Sequence, residues 1–139
     1  MNKIFITSLN KKFKKEERKV RLTAVKILKI LKKENVSVEI YLAGNVIMKS
    51  LNKKLRGKDK IANVLSFEEP EKFISPEAKL KKIGEVYLNV EQEDRIFSKE
   101  FLLLHGMLHL LGYDHIKEVD SMKMERKEKS VSEKLSSGN

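Results

Sequence analysis

The chain has 139 residues, 40% of them hydrophobic and 36% charged, a balance that suits a single globular domain with a core of its own. It contains no cysteine, which excludes disulfides and thiolate metal sites. Its 30 basic residues outnumber its 20 acidic ones and give a net charge of +10, which suits either a surface that attracts polyanions or an ordinary lysine-rich, solvated surface.

Neither export nor membrane insertion is expected. Residues 1–8 lack the long apolar stretch of a signal peptide, since Lys3 and Thr7 interrupt them. No later segment approaches the roughly 20 apolar residues that span a bilayer. We therefore expect a cytoplasmic protein without a membrane partner.

Hydrophobic periodicity predicts alternating strands and helices in the first half of the chain. The predicted elements are a strand at 3–8, a helix at 14–34, a strand at 36–42, a short helix around 47–55 and a strand at 63–67. The short helix is predicted because the apolar residues Ile47, Leu51 and Leu55 are four residues apart.

The second half begins with a charged, proline-containing segment at 68–82 that predicts an exposed loop. The elements that follow are a strand at 83–89, an apolar and therefore buried central helix at 100–111, and a polar helix at 116–135 with a thin apolar stripe that includes Met122. Together these elements predict one α+β domain over residues 1–135, a small mixed four-stranded sheet with helices packed around it. Residues 136–139 are predicted to be a flexible tail.

All three histidines lie between positions 105 and 115. His105 and His109 are four apart, so on a helix they share one face. Gly112 can adopt the left-handed conformation that ends a helix, and the turn would bring His115 back towards the same point. Three imidazoles and a water form an open, tetrahedral zinc site. Ordinary buried histidines are the alternative, but leaving each one unpaired would cost about 1–3 kcal/mol.

Two neighbours of the histidines refine this hypothesis. Asp114 can orient a histidine from behind, or it can cap the helix that follows, and the sequence favours neither role. The spacing of the histidines also matches the metzincin proteases, which carry a catalytic Glu directly after the first histidine. Here that position is Gly106, which has no side chain to accept a proton, so the pattern disfavours proteolysis.

The segment His105 to His115, HGMLHLLGYDH, resembles the signature of the YbeY family. A second block, Leu51 to Phe67, is similar to another family motif, and a third appears at Gly84-Glu85-Val86. Members of this family are bacterial metal-dependent endoribonucleases implicated in ribosomal RNA maturation and ribosome quality control. The resemblance covers nearly the whole chain, and it implies an α+β fold.

The resemblance also implies the site residues and partners. Arg56 matches a cleft arginine that can hold a phosphate through two hydrogen bonds. The implied catalytic set is Arg56, His105, His109 and His115, and the histidines would bind one Zn2+ per chain. The implied substrate is single-stranded RNA, in particular rRNA, with the ribosome or its small subunit as partner; the oligomeric state stays open.

The chain departs from the family pattern at a few positions. Ala62-Asn63 replaces the usual Thr-Asp, Glu85 replaces an Asp, and no general base is evident. Two alternatives to a nuclease remain: a non-catalytic, ribosome-associated factor whose metal is structural, and a zinc hydrolase of another substrate class.

Overall fold

The computed structural model describes residues 1–69, 74–75, 80–92, 96–113 and 118–137. The strands are β1 (Lys3–Ser8), β2 (Val36–Ala43), β3 (Val64–Glu68), β4 (Ile74–Ser75) and β5 (Leu80–Asn89). A 3-10 segment (Lys11–Glu16) precedes the helices α1 (Glu17–Ile30), α2 (Asn45–Arg56), α3 (Lys99–Leu110) and α4 (Glu118–Ser137). In this part of the chain, no helix is both long and apolar enough to cross a membrane.

The strands form one mixed sheet in the order β1-β2-β5-β3. Strands β1, β2 and β5 are parallel, whereas β3 runs antiparallel to β5 and lies at the edge of the sheet. The α+β prediction with four main strands is confirmed. The predicted loop at 68–82 is wrong in part, because the two residues of β4 pair with the start of β5 at Leu80 and Lys81. Residues 70–73 and 76–79 lie outside the described residues.

Helices cover both faces of the sheet, but unequally. Helices α1, α3 and α4 pack on one face around the main core, which includes Ile40, Val86 and Met107. Helix α3 is apolar almost all round because the sheet, α1 and α4 surround it. Helix α2 covers part of the opposite face, where Met48 and Leu65 belong to a second, smaller core.

In two helices the residues that are buried differ from the apolar residues of the sequence pattern. In α2 the buried residues are Met48 and Asn52, whereas Leu55 is 53% exposed. In α4 Met122 is 51% exposed, and Met124 and Val131 are buried instead. Periodicity alone does not show which row of residues along a helix is buried, since the buried positions and the apolar positions of the pattern differ by only one or two residues. Helix α4 also continues through Ser137, two residues past the predicted helix end.

The helix predicted at 14–34 is divided into the 3-10 segment and α1, and it ends early. Helix α1 stops at Ile30, and Leu31 caps it. Lys32 and Asn35 then take left-handed backbone angles, with φ of 55° and 57°. This turn leads directly into β2, which is why the helical pattern of 31–34 is not realised.

Asn89, at the end of β5, joins three parts of the chain. Its side-chain amide donates to Asn45 Oδ1 at 3.0 Å and to the Ala62 carbonyl at 3.2 Å. Its Oδ1 accepts from the backbone N–H groups of Glu91 at 2.9 Å and Gln92 at 3.0 Å. Asn89 is fully buried, so these bonds hold the start of α2 and the segment before β3 against the sheet.

We expect Asn89→Ala to lower the free energy of unfolding by about 1–3 kcal/mol, because it removes the four hydrogen bonds that this buried side chain makes. Urea denaturation followed by circular dichroism measures the change. Lys82→Ala, an exposed position on the same strand, serves as the control and should stay within about 0.5 kcal/mol of wild type. Equal stabilities for both variants would contradict this account of Asn89.

Candidate metal centre

An open cleft of about 990 Å3 lies at the edge of the sheet, between β3, the end of α2, and helices α3 and α4. Each of these elements contributes side chains to it. Among the lining residues are Arg56, Lys58, Ser66, Phe101, His105, His109, Glu128 and Lys129. The cleft therefore brings together two of the three predicted histidine ligands and the predicted phosphate-binding arginine.

His105 and His109 lie one turn apart on α3, and both are half-buried. Their Nε2 atoms are 3.2 Å apart, and their ring planes are inclined by 74°. Two nitrogens bound to one tetrahedral zinc ion, each at about 2.0–2.1 Å, lie about 3.3–3.4 Å apart. The separation of the two Nε2 atoms is therefore close to that of two ligands of one tetrahedral ion.

The turn after α3 follows the prediction for Gly112, which has a φ of 97°. The Gly112 N–H donates to the His109 carbonyl at 3.1 Å, and the Tyr113 N–H donates to the Leu108 carbonyl at 3.0 Å. These two carbonyls at the C-terminal end of α3 are therefore hydrogen-bonded. His115 and Asp114 lie outside the described residues. Within the described ranges no group of three potential ligands converges, and His115 as the third ligand stays a prediction.

Glu128, from α4, lies directly behind His105. Its Oε2 is 2.6 Å from His105 Nδ1, and its side chain is only 7% exposed. A carboxylate only accepts hydrogen bonds, so His105 Nδ1 carries the proton and its Nε2 keeps the lone pair that faces His109. This arrangement presets the tautomer that a metal requires.

Sequence reasoning missed Glu128, which lies 23 positions from His105 in a highly charged helix. The available signal was its spacing from Met124 and Val131, which places Glu128 on the same, buried face of α4. A carboxylate in such a row needs a partner, because burying an unpaired charge is costly. The sequence alone does not show which residue is that partner.

Arg56 is the last residue of α2 and is exposed at the rim of the cleft. One of its N–H groups donates to the Ser66 carbonyl at 2.7 Å, and its guanidinium lies 5.3 Å from the centre of the Phe67 ring. Both partners belong to β3, an edge strand whose outward backbone groups have no neighbouring strand. These contacts hold Arg56 beside the strand that forms the cleft wall.

The remaining positions that the sequence analysis discussed lie in different parts of the structure. Ala62 and Asn63 line the cleft, so the absent threonine hydroxyl and the altered carboxylate concern the cleft itself. Gly106 faces the sheet instead, where an added Cβ would lie 3.0 Å from Val86 and 3.1 Å from Val64. A side chain at that position would point at the sheet and displace these valines, which agrees with the interpretation that this is not a metzincin site.

Glu85 lies away from the cleft, on the other face of the sheet, directly beside Glu39 of β2. Burial first, and then the hydrogen bond and like charge of Glu39, raise the pKa of the Glu85 carboxyl above its ordinary value of 4.5. The Tyr41 hydroxyl donates to Glu39 at 3.0 Å, and the Tyr41 ring stacks on Tyr87 with centroids 4.7 Å apart. This departure from the family pattern therefore alters a half-buried carboxyl pair outside the cleft.

The family model described as Endoribonuclease YbeY matches residues 5–136, almost the whole chain. The chain belongs to the YbeY family. A YbeY endoribonuclease of Persephonella marina is 38% identical over 130 residues, covering 83% of this chain and 80% of that protein. A YbeY endoribonuclease of Desulforamulus reducens is 31% identical and covers 95% of this chain and 96% of its own length.

A solved structure agrees with this assignment to the YbeY family. The solution structure of TM1509 from Thermotoga maritima has a TM-score of 0.59 and is 30% identical to this chain. The match covers 95% of this chain and 88% of that one.

The raised pKa of Glu85 predicts a pH dependence of stability. The folded state binds the Glu85 proton more tightly than the unfolded state, so the free energy of unfolding falls as pH rises from about 4.5 through the raised pKa. In Glu85→Gln this decrease should be largely lost, and the variant should be more stable than wild type at neutral pH. Urea denaturation between pH 4 and pH 8 measures both effects.

Glu39→Gln is the matched variant for this experiment, since it removes the like charge but keeps Glu85. It should reduce the pH-dependent fall in the free energy of unfolding without abolishing it, because burial, the larger cause of the raised Glu85 pKa, remains. A wild-type slope that persists unchanged in Glu85→Gln would show that another group is responsible.

Proposed function

We propose that this chain is a zinc-dependent endoribonuclease that cleaves single-stranded RNA during ribosomal RNA maturation and ribosome quality control. The single observation that carries the proposal is the pair of Nε2 atoms 3.2 Å apart in a cleft that also holds Arg56. The names of the curated relatives support RNA as the substrate. The proposal includes a cytoplasmic location and the ribosome, or its small subunit, as partner.

His105, His109 and His115 would hold the ion as neutral imidazoles. When bound, zinc lowers the pKa of its water to about 7 and can polarise a phosphoryl oxygen. Glu128 keeps the His105 proton on Nδ1, so the Nε2 lone pair is directed towards the ion. The charge of Glu128 also offsets part of the positive charge at the centre.

Arg56 would hold the phosphate that is cleaved. A guanidinium has five donors in a planar fork, which suits two oxygens of one phosphate, and Ser66 engages one N–H of this arginine. Lys58 and Lys129 line the same cleft and would contact flanking phosphates. The chain thus supplies binding, orientation and charge around the metal.

His109→Ala is expected to lose both the metal and the activity, because it removes one of the two nitrogens that face each other. Elemental mass spectrometry should find about one zinc per wild-type chain and close to none in the variant. Cleavage of rRNA fragments should disappear with the zinc. Full nuclease activity in His109→Ala would refute this mechanism.

Arg56→Ala separates a catalytic metal from a structural one. Its zinc content should match wild type, whereas its cleavage rate should fall about 100- to 1000-fold through loss of transition-state stabilisation. A zinc-loaded wild-type chain that binds ribosomes and leaves rRNA intact would favour the non-catalytic, ribosome-associated factor. Turnover of peptides or small metabolites in place of RNA would favour the second alternative, a zinc hydrolase of another substrate class.

Glu128→Gln should weaken zinc binding about 10- to 100-fold, because the amide lacks the charge that fixes the His105 tautomer. Competition with a chromophoric chelator measures this affinity without reference to activity. Glu125→Gln is the control, since Glu125 also lines the cleft from α4 but is exposed. An equal loss in both variants would point to overall charge and not to the orientation of His105.

A further inference from the structure

Two aromatic rings lie at the beginning of α3, on the rim of the cleft. Phe97 and Phe101 stack with their centroids 4.8 Å apart and their planes inclined by 13°. Ser98, between them, is the N-cap of α3, and its Oγ accepts from the Phe101 N–H at 3.1 Å. The cap fixes the chain direction at this point and so holds Phe97 against the first turn of the helix.

The pair does not serve the core. Neither ring belongs to the two hydrophobic clusters that the described residues form. Phe97 is 43% exposed, although phenylalanine is among the residues most often buried. Both rings line the cleft that contains the histidines. An exposed ring supported from one side and directed to a binding cleft is suited to stacking on a ligand.

The position of the rings relative to the metal centre suits RNA. Phe101, His105 and His109 follow one another at intervals of four on α3, which places Phe101 about 6 Å along the helix axis from His105. Stacked nucleotides are about 3.4 Å apart along a strand, so this distance spans one or two nucleotides. A base near the phosphate at the histidines can therefore reach the aromatic pair.

The cleft contains three cations beside the carboxylates of Glu125, Glu128 and Glu133, and the cations suit the same occupant. Arg56, Lys58 and Lys129 provide cations for the backbone phosphates, and the aromatic pair provides an apolar, flat surface for a base. Proteins that bind single-stranded nucleic acids combine these two features. A lipid chain or an apolar peptide would not use the three cations.

We propose that Phe97, supported by Phe101, is a base-stacking platform for a nucleotide next to the cleaved phosphate. The inference rests on the proposed nuclease function and deepens it. A base in a duplex is covered on both faces by its neighbours, so only an unstacked base can lie on Phe97. The platform therefore gives the site a preference for single-stranded RNA.

Fluorescence anisotropy of a labelled, short single-stranded RNA tests the platform, with the full chain at one fixed salt concentration. A chelator prevents cleavage, and a second series contains zinc. Phe97→Ala should weaken binding about 5- to 30-fold, which corresponds to about 1–2 kcal/mol. Phe97→Tyr should keep most of the affinity because its ring can still stack. Phe5→Ala is the matched control, since Phe5 is also exposed but lies on β1, outside the cleft.

Abasic substitutions at each position of the RNA distinguish base stacking on Phe97 from a general effect of Phe97 on the shape of the cleft. For wild type, loss of one particular base should weaken binding, and Phe97→Ala should be insensitive to that same loss. Equal effects of Phe97→Ala on single-stranded and duplex RNA, or no dependence on any base, would overturn the platform. So would an absence of RNA binding by wild type with and without zinc.

The outcomes also separate this inference from the proposed function. Cleavage by wild type without coupling between Phe97 and any base overturns the platform and leaves the nuclease intact. Coupled binding without cleavage supports the platform and counts against the nuclease.

Discussion

Helix α3 lies so close to the sheet that one of its residues has little space for a side chain. At Gly106 an added Cβ would meet Val86 and Val64 at 3.0 and 3.1 Å, closer than most real contacts of this kind. The helix therefore rests directly on β3 and β5, and its histidines lie beside the edge of the sheet. The cleft, the position of Arg56 and the contact with α4 all depend on this close packing of α3 on the sheet.

Helix α4 is joined to this arrangement by packing and by charge together. Met124 and Val131 are buried in the core, and between them Glu128 meets His105. A buried carboxylate is tolerated when it is paired, so the packing of α4 and the orientation of the imidazole support each other. Glu128, the partner of His105, is thus also part of the contact between the two helices.

The two faces of the sheet differ in their electrostatic character. At the edge of β3 the cations Arg56, Lys58 and Lys129 share a cleft with the histidines. On the face opposite the main core, the carboxyls of Glu39 and Glu85 lie side by side with stacked tyrosines. The cleft also contains the carboxylates of Glu125, Glu128 and Glu133, so charges of both signs are mixed at this edge, whereas carboxyls alone form the pair on the opposite face.

Local sequence was sufficient for the features that depend on periodicity or on one backbone conformation. It predicted the four main strands, the buried central helix, the pairing of His105 with His109 on one helix face, and the left-handed turn at Gly112. The resemblance added Arg56 to the same site. Each of these depends on residues a few positions apart or on one contiguous motif, so the pattern carries the information.

The tertiary structure decided what depends on distant partners. In α2 and α4 the buried residues lie one or two positions from the apolar residues of the sequence pattern, because neighbouring helical rows differ only in what packs against them. It assigned no role to Glu128, Asn89 or Phe97, since the function of each lies in contacts made across the fold. The sequence by itself determined the main strands and helices and the position of His105 and His109 on one helix face. Only the packing of α3 between the sheet and α4 decided which carboxylate, cation and ring surround the two histidines.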